Sequence, residues 1–521
     1  MKKFCGIISN LLVIFVLITS SCVMNDDVSS VIGGTTIERL HDGSRVEIPY
    51  EDIGVLKSFA SDPDIIEYNI ARKLALYEFL ETGFNKDMRW EGYKFRPVPV
   101  VIYGFDNKPK FYDFIIVDAE KKIAGTVSVY ARRESNSIIR SVSTGVKDYE
   151  TILSKANGSH SSLFEDWMGR AYVGMRGKAG NTPGMVINAA TGKSAVGIKE
   201  LDGKEIINEL LKDELFLEVT SAISPAVIRA ELNETLEDHN TLAMLFWAHI
   251  DQLIPELEEI DDEDGLIDAN GKFIRKIRNA IRSVASAISN AVSNVISTVV
   301  NTIINVAVSI GNIIFQICER FYERHLNTDN SSFYIEKYTS YTETFRDKKL
   351  LPPDTRNWCG VWIVSYLVWI KNDRTGDTYD EALKYANGNS AGQWIGPINM
   401  NKALKDLSDN TISINLLPVW RDIRIYERIK LEKKPAVVFC LAGDTWFEYF
   451  EDADKDKKAG HWKLAIGTRA DGISAFRFVK FLFHENVTIG NNFTDSGNIK
   501  RNDNKQYESV AWWNPWFFVY D

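Results

Sequence analysis

The chain has 521 residues, of which 45% are hydrophobic and 25% charged, a composition typical of a folded protein of two to four domains. Its net charge of −10 at pH 7 provides no basic field for nucleic acid, so we expect no nucleic-acid partner. Five cysteines are too few for a disulfide framework, and no Cys-x-x-Cys spacing indicates zinc, so we expect neither a metal nor a cofactor.

Residues 1–21 have the pattern of a secretory signal peptide, because two lysines precede an apolar stretch that is short for a membrane span. Small residues then lead directly to Cys22. A cysteine at this position resembles the lipidation site of bacterial lipoproteins, and Asp26 and Asp27 resemble the export signal of surface lipoproteins of Bacteroidetes. The resemblance implies a diacylated Cys22 and an exported protein anchored in the cell envelope, at the outer membrane. The alternative is a cleaved signal peptide with an incidental cysteine.

Polar residues 22–48 follow, and we interpret them as a tether that carries the folded part of the chain. Residues 49–150 are predicted to form an α+β domain. Apolar residues at helical spacing over 65–82 indicate a helix, and short apolar runs after it indicate strands. These strands are expected at 97–103, 110–117 and 122–130, the last two as a hairpin.

Residues 151–272 are predicted to be mixed and mainly helical. The glycines between 169 and 197 lack the spacing of a phosphate loop, so loops and short strands are expected there. Helical patterns cover 206–219 and 225–254, and the acidic run 256–264 is interpreted as a charged linker.

Residues 273–330 form an amphipathic segment without charge along most of its length. Apolar residues recur every three or four positions over 274–315, opposite a face of Ser, Asn and Thr, and no charged residue lies between Arg282 and Glu319. One or two helices packed against a neighbouring domain, or a helix in a membrane interface, both fit this pattern. The Asn and Ser content argues against a membrane span.

Residues 331–521 contain the stretch that carries the chemistry. After the loop-like Pro352 and Pro353, residues from Cys359 onwards are apolar on every side for three turns, which predicts a buried helix that begins at Cys359. The free N–H groups and the helix dipole at such an N-terminus stabilise a thiolate, the form in which cysteine acts as a nucleophile. The structural alternative is a cysteine that only packs in the core.

A base for this thiol must come from elsewhere in the chain, and only His461 and His484 follow Cys359. His461 lies between a turn glycine and a short apolar run that is predicted to be a strand. A cysteine at a buried helix start, followed about a hundred residues later by Gly-His-aromatic, resembles the papain-like cysteine peptidases. Within them it resembles the streptopain group and the bacteriocin-processing peptidases, over residues 351–521.

The resemblance implies a peptide or protein substrate and a catalytic set of Cys359 as nucleophile, His461 as base and acid, and Asn514 as the residue that orients the imidazole. His484 is the alternative base and Asn486 the alternative third residue, and a turn asparagine before proline is the structural alternative for Asn514. Asn514 lies 53 positions after His461, which requires an inserted loop at 485–507.

The sequence does not identify the residue that donates to the oxyanion. Papain-like enzymes carry a glutamine shortly before the cysteine, where this chain has its Pro-Pro-Asp run. The backbone N–H of Cys359 provides one donor, and Asn357 and Gln393 are unranked candidates for another.

The resemblance also implies a fold, with helices first and an antiparallel sheet second, and the α+β domain at 49–150 resembles the propeptide of streptopain-type enzymes. Further helices are expected at 379–386 and 398–408, and strands at 412–417, 436–441, 462–468, 473–482 and 512–520.

Three other features are interpreted as structural. Cys440 lies inside an apolar strand and Cys318 follows the uncharged segment, so both are expected to pack in the core. The acidic stretch 451–456 lacks the glycine and distal glutamate of an EF-hand and is interpreted as a solvated loop.

The sequence therefore predicts an α+β protein, a cysteine peptidase tethered to the cell envelope. The alternatives are amide or transglutaminase-type acyl transfer at the same site, a lipoprotein that only binds, and a membrane-active effector that uses residues 274–315.

Overall fold

The structure is a computed structural model, and it describes the chain from residue 34 to residue 520 with gaps. The gaps are 41–42, 82–88, 136, 144–145, 147–148, 155–160, 190–191, 260–264, 269–270, 274, 278, 280–332, 335–358, 373–377, 387–394, 421–423, 426–427, 430–431, 442–459, 472–477, 485–505 and 509–510.

The described residues form an α+β structure, as the sequence predicts. The helices are α1 (Ile53–Ser58), α2 (Tyr68–Glu81), α3 (Tyr149–Ser154), α4 (Gly203–Leu210), α5 (Glu214–Val219), α6 (Pro225–Glu259), α7 (Cys359–Lys371), α8 (Thr378–Leu383) and α9 (Pro397–Leu407). The strands up to residue 200 are β1 (Gly34–Arg39), β2 (Arg45–Tyr50), β3 (Lys94–Phe95), β4 (Val100–Tyr103), β5 (Pro109–Val117), β6 (Ile123–Tyr130), β7 (Ile139–Ser143), β8 (Ser162–Glu165), β9 (Ala171–Gly174), β10 (Met185–Asn188) and β11 (Ser194–Val196). The later strands are β12 (Phe333–Tyr334), β13 (Ser413–Ile414), β14 (Ala436–Leu441), β15 (Gly460–Asp471), β16 (Phe478–His484), β17 (Gln506–Glu508) and β18 (Trp516–Tyr520).

One sheet runs through most of the described structure. Its order is β11-β10-β9-β8-β4-β5-β6-β7-β17-β16-β15-β14-β18-β13, with β3 beside β5 and β12 beside β15. The named pairs are antiparallel except β4 with β8, which is parallel. The N-terminal and C-terminal parts of the sheet join where Tyr507 and Glu508 of β17 lie opposite Val142 and Ser141 of β7.

The stretch interpreted as a tether contains a β-hairpin. Strands β1 and β2 pair along their full length, and the side chains of Val46 and Ile48 are buried. The Tyr50 hydroxyl donates to Glu38 Oε1 at 2.7 Å, and Arg96 forms an ion pair with the same carboxylate at 3.1 Å. These contacts attach a polar-looking stretch to the domain, so from residue 34 onwards the tether interpretation is wrong.

The secondary structure expected for the rest of the N-terminal domain is confirmed with shifted ends. The helix expected over 65–82 begins at Tyr68, because Ile65 bridges to Arg132 and the Ile66 N–H donates to the Ala131 carbonyl. The expected hairpin is β5 with β6, in which Phe111 lies opposite Tyr130.

The middle region has the expected short strands, β8 to β11, followed by helices. Asp213 breaks the predicted 206–219 helix in two, because its carboxylate caps α5 by accepting from the N–H groups of Leu215 and Phe216. The acidic run interpreted as a linker begins inside α6, which continues to Glu259. Lys73 Nζ donates to the Leu257 carbonyl at 2.7 Å, which stabilises the C-terminal end of that helix.

From Cys359 onwards the named helices all precede the named strands, which is the order that the sequence predicts. The strand expected at 473–482 is β16 and extends to His484, and the one expected at 512–520 begins only at Trp516. The residues before Trp516 form a turn in which the Asn514 N–H donates to the Ala511 carbonyl at 3.0 Å.

Several expectations fall outside the described residues: the signal peptide with Cys22, nearly all of the segment 274–315, the stretch 451–456, and the candidates Asn357, Gln393, Asn486 and Cys318. Within the part of the chain that the structure describes, no helix is both long and apolar enough to cross a membrane.

Candidate functional site

Helix α7 begins at Cys359, as its sequence predicts. From Val361 to Trp369 every side chain is buried, which places the helix inside the domain, against α8, α9 and β15. Cys359 therefore lies at the N-terminus of a buried helix, where backbone N–H groups and the helix dipole favour an anion.

The second residue of α7 brings the helix start against the strand that carries His461. A Cβ atom added at Gly360 would overlap Ile395 Cγ2 and lie 2.9 Å from Trp462 Cδ1. The indole N–H of Trp462 donates to the Ile395 carbonyl at 3.0 Å, which fixes the ring at this position. Since Gly360 and Trp462 are in contact, their chain neighbours Cys359 and His461 lie in the same part of the fold.

His461 and the turn that contains Asn514 lie on either side of β14. His461 pairs with Cys440 of β14, and on the other side of β14 the Phe439 N–H donates to the Pro515 carbonyl at 3.1 Å. Asn514 itself lies in the turn before β18, where its N–H donates to the Ala511 carbonyl. Strand pairing thus brings β15 and this turn to the two sides of β14 despite their long separation in sequence.

Strand alternation assigns these positions to faces of the sheet. Trp462 shares a face with Phe439, at a ring-centroid distance of 4.8 Å, and α7 covers that face. Position 461 belongs to the opposite face, together with Cys440. His484, at the end of β16, lies opposite Leu464 and is therefore on the face that α7 covers.

Asn514 and Cys440 are both buried, Asn514 with 1% of its surface exposed. Cys440 forms no disulfide and lies in the core, as its strand context predicts. The indole N–H of Trp420 donates to the Trp513 carbonyl at 3.1 Å, which holds the turn before Asn514 in place.

Beside this turn lies a cavity that sequence reasoning missed, of about 580 Å³. The N-terminal region forms most of its wall, and Ala511, Trp512 and Trp513 close it from the C-terminal side. The rings of Trp167 and Trp513 meet edge to face at a centroid distance of 5.9 Å. The only related feature considered in the sequence is the high aromatic content of the C-terminus. That feature indicates packing into a core but does not predict a cavity.

The charged groups in the wall of this cavity bind one another. Arg140 forms two hydrogen-bonded contacts of 2.9 Å with the carboxylate of Glu165, which is almost fully buried, and its guanidinium stacks on a neighbouring phenylalanine ring. Lys110 Nζ donates to Glu200 Oε1 at 2.9 Å and to the carbonyls of Glu165 and Asp166. Beside Lys110, the pKa of Glu200 is held below its ordinary value against the opposing effect of burial. The charged groups named here are therefore paired with one another.

His239 belongs to the wall of the cavity, beside the turn that carries Trp512 and Trp513 (the tryptophan turn). Its Nε2 is 3.1 Å from the Glu134 carbonyl, and its ring centroid is 6.5 Å from that of Trp512. Burial disfavours the imidazolium and lowers the pKa of His239 to about 4. The ring is therefore neutral at pH 7.

Among the described residues, no cluster of three or more His, Cys, Asp or Glu side chains has the arrangement of a metal site. Comparisons with protein-family models, with curated proteins and with solved structures find no match to this chain.

Proposed function

We propose that the C-terminal part of this protein is a papain-like cysteine peptidase domain that hydrolyses peptide bonds with Cys359 as its nucleophile. The observation that carries the proposal is the contact between Gly360 and Trp462, because it joins the start of the cysteine helix to the histidine strand. The order of helices before the main strands, and the placement of His461 and the turn of Asn514 on either side of β14, support it further.

In the proposed mechanism, the Cys359 thiol gives its proton to a histidine and its sulfur attacks the substrate carbonyl. The free N–H groups at the start of α7 stabilise both the thiolate and the oxyanion. The imidazolium then protonates the leaving amine, which leaves an acyl group on the sulfur. Water, deprotonated by the same histidine, hydrolyses this thioester and restores the thiol.

His461 is the proposed base, and Asn514 is the proposed group that orients its ring. Because position 461 belongs to the sheet face opposite α7, its imidazole would reach Cys359 around the end of β15, beside Gly460, and not across the sheet. His484 is the second candidate for the base, since its position lies on the face that α7 covers. The two assignments of the base therefore predict opposite effects of His461→Ala and His484→Ala on cleavage.

We further propose that the protein is exported and anchored to the cell envelope by lipid on Cys22, so that its peptide or protein substrates lie outside the cytoplasm. The small residues before Cys22 and the acidic pair after it support this proposal. Metabolic labelling with a fatty-acid analogue tests it, with Cys22→Ala as the control that must lose the label.

The catalytic proposal is tested by labelling the folded protein with a fluorescent iodoacetamide at several pH values. Cys359 is expected to react at a pH well below the ordinary pKa of a thiol, and Cys359→Ser to abolish this reaction. His461→Ala should move the labelling profile to higher pH and abolish peptide cleavage, whereas His484→Ala should change neither.

If His484→Ala has the large effect and His461→Ala the small one, the base is His484. If Cys359 reacts no faster than a model thiol in a sample that is folded by circular dichroism, the peptidase proposal is wrong. The cavity beside Trp512 and Trp513 would then support the alternative of a lipoprotein that only binds a ligand.

A further inference from the structure

We propose that the cavity between the N-terminal region and the tryptophan turn binds an uncharged saccharide, at a site separate from the proposed peptidase centre. The inference does not depend on the peptidase proposal, because no residue of the cavity wall belongs to the proposed catalytic set. The cavity volume of about 580 Å³ falls within the range of roughly 300–1,000 Å³ found for small-ligand sites.

The balance of charge in the wall favours a neutral ligand. Four basic and five acidic side chains line the cavity, and the Asp166 carboxylate is also paired with Arg170, behind the wall, at 2.6 Å. His239, the remaining titratable group of the wall with a pKa in the acidic range, is neutral at pH 7. Because the positive and negative charges nearly cancel, the wall exerts little net attraction on an anion or on a cation.

Three exposed side chains of the wall have polar groups available to a ligand. The Lys204 ammonium and the Asn240 amide have no hydrogen-bond or ion-pair partner among the residues that the structure describes. The Glu134 side chain is 68% exposed, and its carboxylate lies 3.7 Å from the guanidinium of Arg132, a loose ion pair. A purely apolar ligand that covered these groups would remove their water without replacing its hydrogen bonds. The ligand must therefore carry both donors and acceptors.

Three indole rings supply the apolar part of the surface. Trp167, Trp512 and Trp513 are partly exposed, and neighbouring rings meet at large angles, 66° between Trp167 and Trp513 and 87° between Trp512 and Trp513. None of their N–H groups donates a hydrogen bond to another residue in the described part of the chain. Each ring therefore offers an apolar surface together with one free donor.

A saccharide meets both requirements within one ring. Its C–H groups form an apolar face that packs on an indole, and the hydroxyls around its edge donate and accept hydrogen bonds. In the proposed complex the indole rings contact the C–H groups, and Lys204 and the indole N–H groups donate to hydroxyls. The Glu134 carboxylate accepts from other hydroxyls. A quaternary ammonium or an aromatic side chain would occupy the indoles but satisfy few of these polar groups.

Titration calorimetry on the full chain tests the ligand class. The probes are four neutral disaccharides (maltose, cellobiose, lactose and N,N′-diacetylchitobiose), with choline chloride and N-acetyl-phenylalanine amide as the competing classes. We expect saturable binding of at least one disaccharide, accompanied by a change in tryptophan fluorescence, and no binding of the other two compounds. Binding of choline or of the phenylalanine amide in place of the disaccharides, or binding of no probe, would overturn the inference.

Substitutions in the wall test the location of the site. Trp167→Ala removes one indole and should weaken binding of the disaccharide by about tenfold or more, whereas Trp167→Phe retains a ring face and should weaken it less. Lys204→Ala removes an exposed donor and should weaken binding by up to about tenfold. Lys405→Ala, on the exposed surface of α9, is the matched control and should leave binding unchanged.

Thermal midpoints of all variants establish that they are folded. If Trp167→Ala does not fold, Trp167→Phe and Lys204→Ala decide the question, since neither removes a buried group. Disaccharide binding that is unchanged in every folded variant of Trp167 and Lys204 would overturn the assignment to this cavity. Iodoacetamide labelling of Cys359 reports on the peptidase proposal separately, so the failure of one proposal is distinguishable from the failure of the other.

Discussion

The N-terminal region and the C-terminal domain contribute strands to one sheet, but they differ in the chemical type of their buried side chains. In the N-terminal region, carboxylates such as those of Asp113, Glu165 and Asp166 are buried and bind cations or hydroxyls. From Cys359 onwards, no buried carboxylate occurs among the residues whose burial the structure describes. Aliphatic and aromatic side chains fill most of that core, and the buried exceptions are the cations Arg428 and Lys463 and the polar residues Ser365, Thr378, Ser408 and Asn514.

This difference shows two ways of holding a sheet in place. A buried ion pair positions the residues around it through the fixed geometry of its hydrogen bonds. Removing one partner greatly lowers the free energy of unfolding, because it leaves a buried charge without a partner. An apolar core positions its helices by close packing of side chains, so its stability depends on the fit of these contacts more than on charges. The two parts should therefore respond to opposite kinds of substitution.

The largest effect is expected for Arg140→Met, which leaves Glu165 buried without its bidentate partner. Breaking a buried pair from one side costs about 3–5 kcal/mol of the free energy of unfolding. The measurement is a urea denaturation midpoint. As a control, Lys384→Ala breaks an exposed pair with Glu381 and should cost less than about 1 kcal/mol.

The double variant Arg140→Met/Glu165→Leu sharpens this prediction, since replacing both charges by apolar groups is often close to neutral. It should recover most of the lost stability. A double variant as unstable as Arg140→Met alone would show that the charge itself is not the cause.

Next in size is Gly360→Ala, which tests packing by shape in the C-terminal core. The added methyl group overlaps Ile395 and approaches Trp462 to 2.9 Å, so we expect a loss of about 1–3 kcal/mol. Because the helix start must move, the proposed cleavage activity should fall with it. Gly184→Ala meets nothing within 4 Å and is the matched control, for which the thermal midpoint should not change.

A smaller effect is expected for Asp202→Ala at the rim of the cavity. Asp202 caps α4 by accepting from the Glu205 N–H at 2.8 Å, and Glu205 accepts from the Asp202 N–H in return. Losing this cap should cost about 1 kcal/mol in denaturation experiments. Lys204→Ala, on the exposed surface of the same helix, should change stability by less than about 0.5 kcal/mol.

The smallest effect is expected for the pH dependence of the free energy of unfolding that comes from Asp238 and His239. In the native protein their contributions have opposite signs over overlapping pH ranges. Burial lowers the pKa of His239 to about 4 from 6.5, so between these values only the unfolded state binds the proton and stability falls as pH falls. Burial, together with Glu237, raises the pKa of Asp238 from 3.8 to about 6. Between these two values only the folded state binds a proton at Asp238, so this contribution to stability rises as pH falls.

Single variants separate these contributions in unfolding experiments between pH 6.5 and pH 4. His239→Gln should make stability rise as pH falls, and Asp238→Asn should make it fall more steeply than in the native protein. Parallel curves for both variants and the native protein would contradict the assignment.

Local patterns predicted much of the fold. The apolar run after Cys359 predicted α7 with its first residue, because a helix apolar on every side requires burial. Alternation predicted β5 and β6 as a hairpin. The polar strands β1 and β2 were missed, because the contact of Arg96 with Glu38, which helps to attach them, joins residues 58 positions apart.

The same limit applies to the candidate site. The sequence predicted Cys359, His461 and Asn514 as site residues. The contact of Gly360 with Trp462, and the placement of β15 and the turn of Asn514 on either side of β14, arise from long-range contacts. Which sheet face each histidine occupies depends on strand register, and a sequence does not specify register between distant strands. The cavity is formed by residues between Lys110 and Asn240 together with residues 511–513, so no local sequence pattern could predict it.

The junction of β7 with β17 has a consequence for processing of the chain. Because the N-terminal strands and the C-terminal strands belong to one sheet, and α5 packs on β14, a cut between residues 273 and 333 would not release the N-terminal half. The nicked protein would run as one species in gel filtration and as two bands in a denaturing gel. Maturation by proteolysis, if it occurs there, would yield a two-chain protein whose halves stay together.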